Sequence, residues 1–177
     1  VVNAHNVSVF KVLPSLDLTA FESARAKLLR DDPTRDNLSS SRRPVEVVAM
    51  VRPSTPRRNP AETVRVLAHL KRQLADRVTL PTFGCGDDEL RAFVDSHADI
   101  NDATKLLTHH GTLARAEIAT LFAQADVFLD MSFWQAFGRT GLEAMAAGCV
   151  PVLPVGSGAE EYALHATNAM LHNTSDY

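Results

Sequence analysis

Three arginines, Arg52, Arg57 and Arg58, fall within the stretch RPSTPRRN (residues 52–59), with no carboxylate among them. A guanidinium stays charged at any physiological pH and offers a planar fork of donors that fits phosphate. In an isolated loop such a cluster is usually just a solvated surface. At the end of a parallel strand it lies where an anion binds. A second segment, SFWQAFGRTGLEAM (residues 132–145), carries Gln135, Phe137, Gly138, Arg139 and Thr140 into a helical pattern containing Glu143. Amides in the first turn of a helix lack intrahelical acceptors, and the helix dipole favours negative charge there. Arg139 in that turn opposes the dipole, an arrangement that becomes sensible with a phosphate between them. Glu143, about one turn further in, can accept two hydrogen bonds from a ribose. The ordinary role for such a Glu is a capping or solvent-facing group.

Two further loops carry weaker signals. In His109-His110-Gly111-Thr112-Leu113, Gly111 allows close backbone approach to a ligand. Adjacent histidines on a strand point to opposite faces, and the chain has no His-x-His or Cys-x-x-Cys spacing, so no metal is expected. Gly84-x-Gly86 and Gly156-x-Gly158 are only fragments of a dinucleotide fingerprint, and there is no Walker A sequence. Cys149 lies in an apolar stretch and reads as a buried, inert thiol, which together with Cys85 favours a reducing compartment.

The 177 residues, 45% hydrophobic and 22% charged, suit one globular domain or part of a larger protein. This composition excludes disorder, collagen and a disulfide scaffold. A formal net charge of −3 argues against nucleic-acid binding by bulk charge. No apolar run approaches the roughly 20 residues that span a bilayer, and no signal peptide is visible. The chain starts with Val rather than Met, which suggests a missing segment.

The pattern that positions these residues is an alternation. Residues 7–13 are expected to form a strand and 18–29 a short helix capped by Asp17 or Thr19. Residues 31–44 are expected to form an exposed linker. From residue 45, apolar runs at 45–51, 77–83, 105–109, 127–131, 150–155 and 169–172 predict strands. Helical patterns at 60–75, 87–98, 114–125, 138–147 and 158–163 separate them. Pro81 hints at an edge or a bend. The fold class is therefore α/β: a Rossmann-like parallel sheet wound right-handedly, with helices on both faces. We divide the chain into an interdomain segment (1–44) and a binding domain (45–177).

Residues 135–151 (QAFGRTGLEAMAAGCVP) resemble the signature of GT-B glycosyltransferases of family 4, the retaining nucleotide-sugar enzymes. That signature has two glutamates flanking seven residues around a Phe-Gly pair, then Glu-Ala-Met-Ala-x-Gly and a strand. Glu143 matches the second glutamate, and Gln135 replaces the first at matching spacing. Arg52 with Arg57 or Arg58 resembles the family's basic pair after the first strand of its C-terminal domain. Gly111 and IATLFAQADVFLDMS (residues 118–132) resemble the stretch before the signature. Residues 158–171 resemble the Gly-x-x-Glu stretch after it, with Glu161 as its Glu. Residues 11–21 resemble the lead from the interdomain strand.

The resemblance implies a C-terminal, donor-binding half of a GT-B fold, without the N-terminal domain or closing helices, and inactive by itself. It implies a metal-independent reaction with no cofactor, a nucleotide-diphosphate sugar being the donor substrate. Arg52 and Arg57 or Arg58 would bind the diphosphate, helped by amides near Phe137, Gly138, Arg139 and Thr140. Glu143 would hold the ribose, and Gly111, Thr112 and Leu113 would line the base pocket. Gln135 would hydrogen-bond the transferred sugar. Arg52, Arg58, Gln135 and Glu143 are thus the candidate catalytic residues. The variant signature is similar to rhamnosyltransferase-like members that build bacterial cell-surface polysaccharide. The acceptor would be a glycan or lipid-linked glycan, and the place cytoplasmic or at the inner face of the membrane. Two alternatives stay open: a degenerate, non-catalytic nucleotide-binding module, which Gln135 favours, and an NAD-type dehydrogenase domain, which the missing Gly-x-Gly-x-x-Gly disfavours.

Overall fold

A computed structural model describes residues 15–35 and 43–173. The strand expected at 7–13 lies outside the described residues. Helix α1 (Thr19–Asp31) leads into strand β1 (Val45–Met50), and α2 (Pro60–Leu74) follows. Next come β2 (Val78–Thr79), β3 (Pro81–Phe83), α3 (Asp87–Asp95), β4 (Thr108–His109), α4 (Arg115–Gln124) and β5 (Val127–Leu129). The described part ends with α5 (Arg139–Ala146), β6 (Val150–Pro154) and β7 (Met170–His172).

The strands form one sheet in the order β4-β3-β1-β5-β6-β7, with β2 also on β1, and every pairing is parallel. This is the doubly wound order, which reverses direction between β1 and β5. The register is Val47 against Val127 and Ala49 against Leu129 across that reversal. Side chains alternate across the sheet. Val48 joins Phe21, Phe83, Phe122, Phe128 and Leu153 in one core, beneath α1, α4 and α5. Val47 and Ala49 face the other way and pack with Leu67 of α2. Strands buried on both faces in this way appear in sequence as continuous apolar runs.

Several elements are shorter than the patterns suggest, each for a physical reason. Pro81 does not mark an edge, because β3 lies between β4 and β1. It lacks the N–H that would continue the ladder, and the strand expected at 77–83 breaks there into β2 and β3. Residues 103–106 form a 3₁₀ turn rather than the start of the third strand. The helix expected at 158–163 is a single 3₁₀ turn, Gly158–Glu161. The chain then reverses through residues 164–168, with Ala166 in the left-handed region, to reach β7. Helix α1, assigned by sequence to an interdomain segment, places fully buried Phe21 in the same core as the sheet. Leu18, not Asp17 or Thr19, occupies the cap position, while the Asp17 carboxylate accepts from the Thr19 amide one residue further on. In the segment read as a linker, Arg43 makes a two-pronged bridge to Asp126 at 2.6 and 2.7 Å.

Phe122 lies at the centre of an aromatic cluster, with ring centroids of Phe21, Phe83 and Phe128 at 6.1, 5.7 and 5.3 Å. Phe122→Ala should lower unfolding free energy by about 3–5 kcal/mol, because it leaves a cavity between sheet and helices. Chemical denaturation would measure this, and a loss below about 1 kcal/mol would contradict the central role.

Candidate functional site

The loops leaving β1 and β5 meet above the reversal point. Beyond β1, the Val51 amide is still held by the Phe83 carbonyl, and Arg52 follows into solvent. Pro56–Arg58 makes a 3₁₀ turn, closed by Asn59 in the left-handed region just before Pro60 opens α2. This turn fixes Arg57 and Arg58 in space. The Phe133 amide donates to the Arg57 carbonyl at 3.0 Å, joining the two loops through their backbones. The Arg57 guanidinium lies 5.6 Å from the centre of the Trp134 ring and donates to Gln135 Oε1 at 3.4 Å.

Arg58 points inward. Its Nη1 is 3.7 Å from Asp130 Oδ2, and the side chains are only 13% and 6% exposed. Burial pushes the Arg58 guanidinium below the ordinary arginine range, Asp130 counters this, and the charges of Arg57 and Arg52 add to the lowering. Its Nε is buried with no hydrogen-bond partner. A guanidinium in this state gains more from an incoming anion than a solvated one does.

Asp130 anchors the β5 loop. Its Oδ1 accepts from the Ser132 amide at 3.0 Å and from the Ser132 hydroxyl. Its Oδ2 accepts from Gln135 Nε2 at 2.8 Å. The Gln135 carbonyl accepts from the Gly158 amide at 2.7 Å, which brings in the loop after β6. There the Tyr162 hydroxyl donates to the Gly138 carbonyl at 2.5 Å, and its ring packs 5.5 Å from that of Phe137. Burial, then the Asp130 charge, pushes the phenol up, so it remains a donor. Gly138 enters α5 at φ 76°, a conformation that suits glycine. Arg139 is exposed, and Thr140 is buried in the first turn.

Glu143 does not join this network. Its Oε1 accepts from Arg115 Nη1 at 2.6 Å, while Arg115 Nη2 donates to the Asp17 carbonyl at 2.6 Å. The same guanidinium sits 4.9 Å from the centre of the Phe21 ring. Arg115 opens α4, just beyond Gly111, Thr112 and Leu113, so the base-pocket candidates and Glu143 share this second corner. His109 bonds Thr82 Oγ1 and the Cys85 carbonyl, each at 3.0 Å. Among the described residues, no group of three or more His, Cys, Asp or Glu side chains comes together. Cys85 and Cys149 are free and buried, and burial pushes their thiols up to about 11 and about 12.

The structure thus brings Arg57, Arg58 and Gln135 together at the β1/β5 crevice, and places Glu143 with the β4 loop. Sequence reasoning missed Asp130, Arg115 and Tyr162. Asp130 had a signal: it is a carboxylate directly after an apolar strand. Arg115 and Tyr162 had none, because their partners are remote in sequence.

Residues 31–176 match the family model described as Glycosyl transferases group 1. The chain belongs to this family. A sequence search among curated proteins finds no match. The group 1 chain resembles the crystal structure of Anabaena Alr3699/HepE in complex with UDP and glucose, at 23% identity and TM-score 0.60, covering 89% of this chain and 41% of that one. It also resembles the C-terminal domain of the glycosyl transferase group 1 family protein LpcC from Francisella tularensis, at 18% identity and TM-score 0.63, covering 90% and 80%. A third likeness is to a UDP-forming α,α-trehalose-phosphate synthase from Burkholderia xenovorans in complex with glucose-6-phosphate, at 14% identity and TM-score 0.63, covering 90% and 39%. At these identities the likeness is one of fold, a Rossmann-like parallel α/β sheet. The chain spans about two fifths of the length of the Anabaena and Burkholderia proteins.

One contact decides how tightly the group 1 loops close. A Cβ on Gly158 would lie 1.8 Å from the Ala136 carbonyl oxygen, a backbone atom with little room to yield. Gly158→Ala should push the β5 and β6 loops apart and lower the melting temperature by roughly 5 °C or more. A melting curve unchanged from wild type would refute the close approach.

Proposed function

We propose that this chain is the donor-binding half of a retaining, metal-independent glycosyltransferase of family 4, acting on a nucleotide-diphosphate sugar. The observation that carries the reading is the junction of the β1 and β5 loops, where Arg57 and Arg58 face the Gln135 loop ahead of α5. The crevice at a strand-order reversal is where open α/β sheets hold ligands. The Anabaena structure was solved with UDP and glucose, which makes a uridine diphosphate sugar the first donor to test here.

In this reading the diphosphate lies between the arginines and the helix tip. When the bond from sugar to diphosphate breaks, negative charge grows on the departing phosphate. Arg58, fixed and poorly solvated, and Arg57 stabilise that charge, and Arg52 adds to the field from the loop mouth. Amides from Phe137 to Thr140 assist, with the Tyr162 hydroxyl holding the Gly138 carbonyl so that the turn keeps its shape. Glu143, with one oxygen held by Arg115, offers the ribose its carboxylate. Gly111, Thr112 and Leu113 face the base, and Gln135 meets the transferred sugar. The acceptor, a glycan or cell-surface polysaccharide, would approach from an N-terminal domain. The rhamnosyltransferase-like form of the signature makes deoxysugar donors a second class to test.

Arg58→Ala should weaken UDP binding about tenfold or more, since a charge-assisted hydrogen bond contributes about 1.5–3 kcal/mol. Arg52→Ala should weaken it less, because Arg52 is exposed. Unchanged calorimetric affinity in both single variants and in the triple arginine variant would defeat the phosphate role. Glu143→Ala should remove the preference for ribose over ribose-modified nucleotides, as read by competition binding. Equal discrimination by wild type and variant would remove Glu143 from the site. A thermal-shift panel of nucleotide sugars on the full-length protein identifies base and sugar together.

A further inference from the structure

Gln135 is held in one orientation by its surroundings. Its Nε2 lies 2.8 Å from Asp130 Oδ2 and 2.8 Å from Ser132 Oγ. The Ser132 hydroxyl already gives its proton to Asp130 Oδ1, so its lone pairs are what face Gln135. Both neighbours are therefore acceptors, and an amide nitrogen has two protons for them. The opposite flip would set an oxygen against two oxygens. Both donors are spent on the protein, and Oε1 accepts from Arg57.

We propose that Gln135 presents only an acceptor to the donor sugar, and that Asp130 is the positioning residue that imposes this, the pair carrying one negative charge between them. The part concerning the sugar rests on the donor-site reading above; the coupling of Asp130 to Gln135 does not. The family signature has a carboxylate at the place of Gln135, and here the carboxylate of this corner sits at Asp130 instead. The two positions cannot both be ionised acids at this distance. Gln135→Glu would bring a second carboxylate to about 2.8 Å from Asp130 and forfeit both Nε2 hydrogen bonds, so one of the two acids would have to take a proton. Adding Asp130→Asn reverses the polarity and restores one of the two bonds: the new amide oxygen still accepts from Ser132, and the new amide nitrogen donates to the introduced glutamate, while the bond from position 135 to Ser132 Oγ stays lost.

Other groups bear on this pair. Arg58 approaches Asp130, and Arg57 approaches Gln135, both from the turn after β1. Tyr162, beyond the β6 loop, feels the Asp130 charge. The His172 ring from β7 bonds the Asp130 carbonyl at 2.8 Å. His172 and both arginines are present in every variant.

The test is a double-mutant cycle of Gln135→Glu, Asp130→Asn and the pair, melted between about pH 5 and pH 8 and titrated with UDP. In Gln135→Glu the shared acid pair holds its proton more tightly when folded than when unfolded. Stability is then retained at low pH and lost as pH rises through the folded value. Its melting temperature should fall further below wild type from pH 5 to pH 8, by several degrees, and UDP affinity near neutral pH should fall about tenfold. In the Asp130→Asn background, adding Gln135→Glu should cost less at pH 8 than it does alone, and should lower UDP affinity by a smaller factor than in the wild-type background. Equal melting penalties in both backgrounds, or a Gln135→Glu penalty independent of pH, would overturn the coupling. If wild type does not bind UDP, the donor-site reading fails while the melting cycle still decides the Asp130–Gln135 pair.

Discussion

The backbone hydrogen bonds of β1 are divided between β3 with β2 on one side and β5 on the other. The helix that leaves β1 packs on one face of the sheet, and the helix that leaves β5 packs on the other. Among the described residues, no crossover covers the carboxyl ends of these two strands, so their loops rise into a gap and settle against each other. Everything assembled at the crevice follows from that division. The turn at Pro56–Arg58 and the segment from Asp130 to Gln135 are neighbours only because β1 and β5 are.

Within the crevice, charge accounting governs the arrangement. A buried guanidinium needs an opposite charge nearby, and Asp130 supplies it to Arg58 at a separation too long for a tight bridge. Asp130 is itself satisfied by Ser132 and Gln135, which leaves Arg58 only partly compensated. A corner already neutral would have little use for a diphosphate. A corner with no acid would be costly to fold. The observed set lies between these limits.

The sequence showed the alternation of strands and helices because the parallel strands, buried on both faces, appear as unbroken apolar runs. It also showed the arginine loop and the 132–145 segment, since both sit at strand ends where the chain pattern changes. It did not show how short β2, β3 and β4 are, because one missing N–H at Pro81 and a 3₁₀ turn at 103–106 are local events that apolar content does not report. Nor did it separate Glu143 from Gln135. Spacing within one segment suggested a shared site, but helical rotation sends Glu143 toward α4 and Arg115. Long-range partners such as Arg115 with the Asp17 carbonyl, 98 positions apart, leave no trace in a local pattern.

That same guanidinium has a mechanical consequence. Arg115 grips the main chain just ahead of α1 with one nitrogen and the second turn of α5 with another, while the Phe21 ring buttresses it from the side. A pull on the polypeptide entering the domain is thereby passed through a single planar group to the helix whose tip borders the crevice, like a rod linking a handle to a latch.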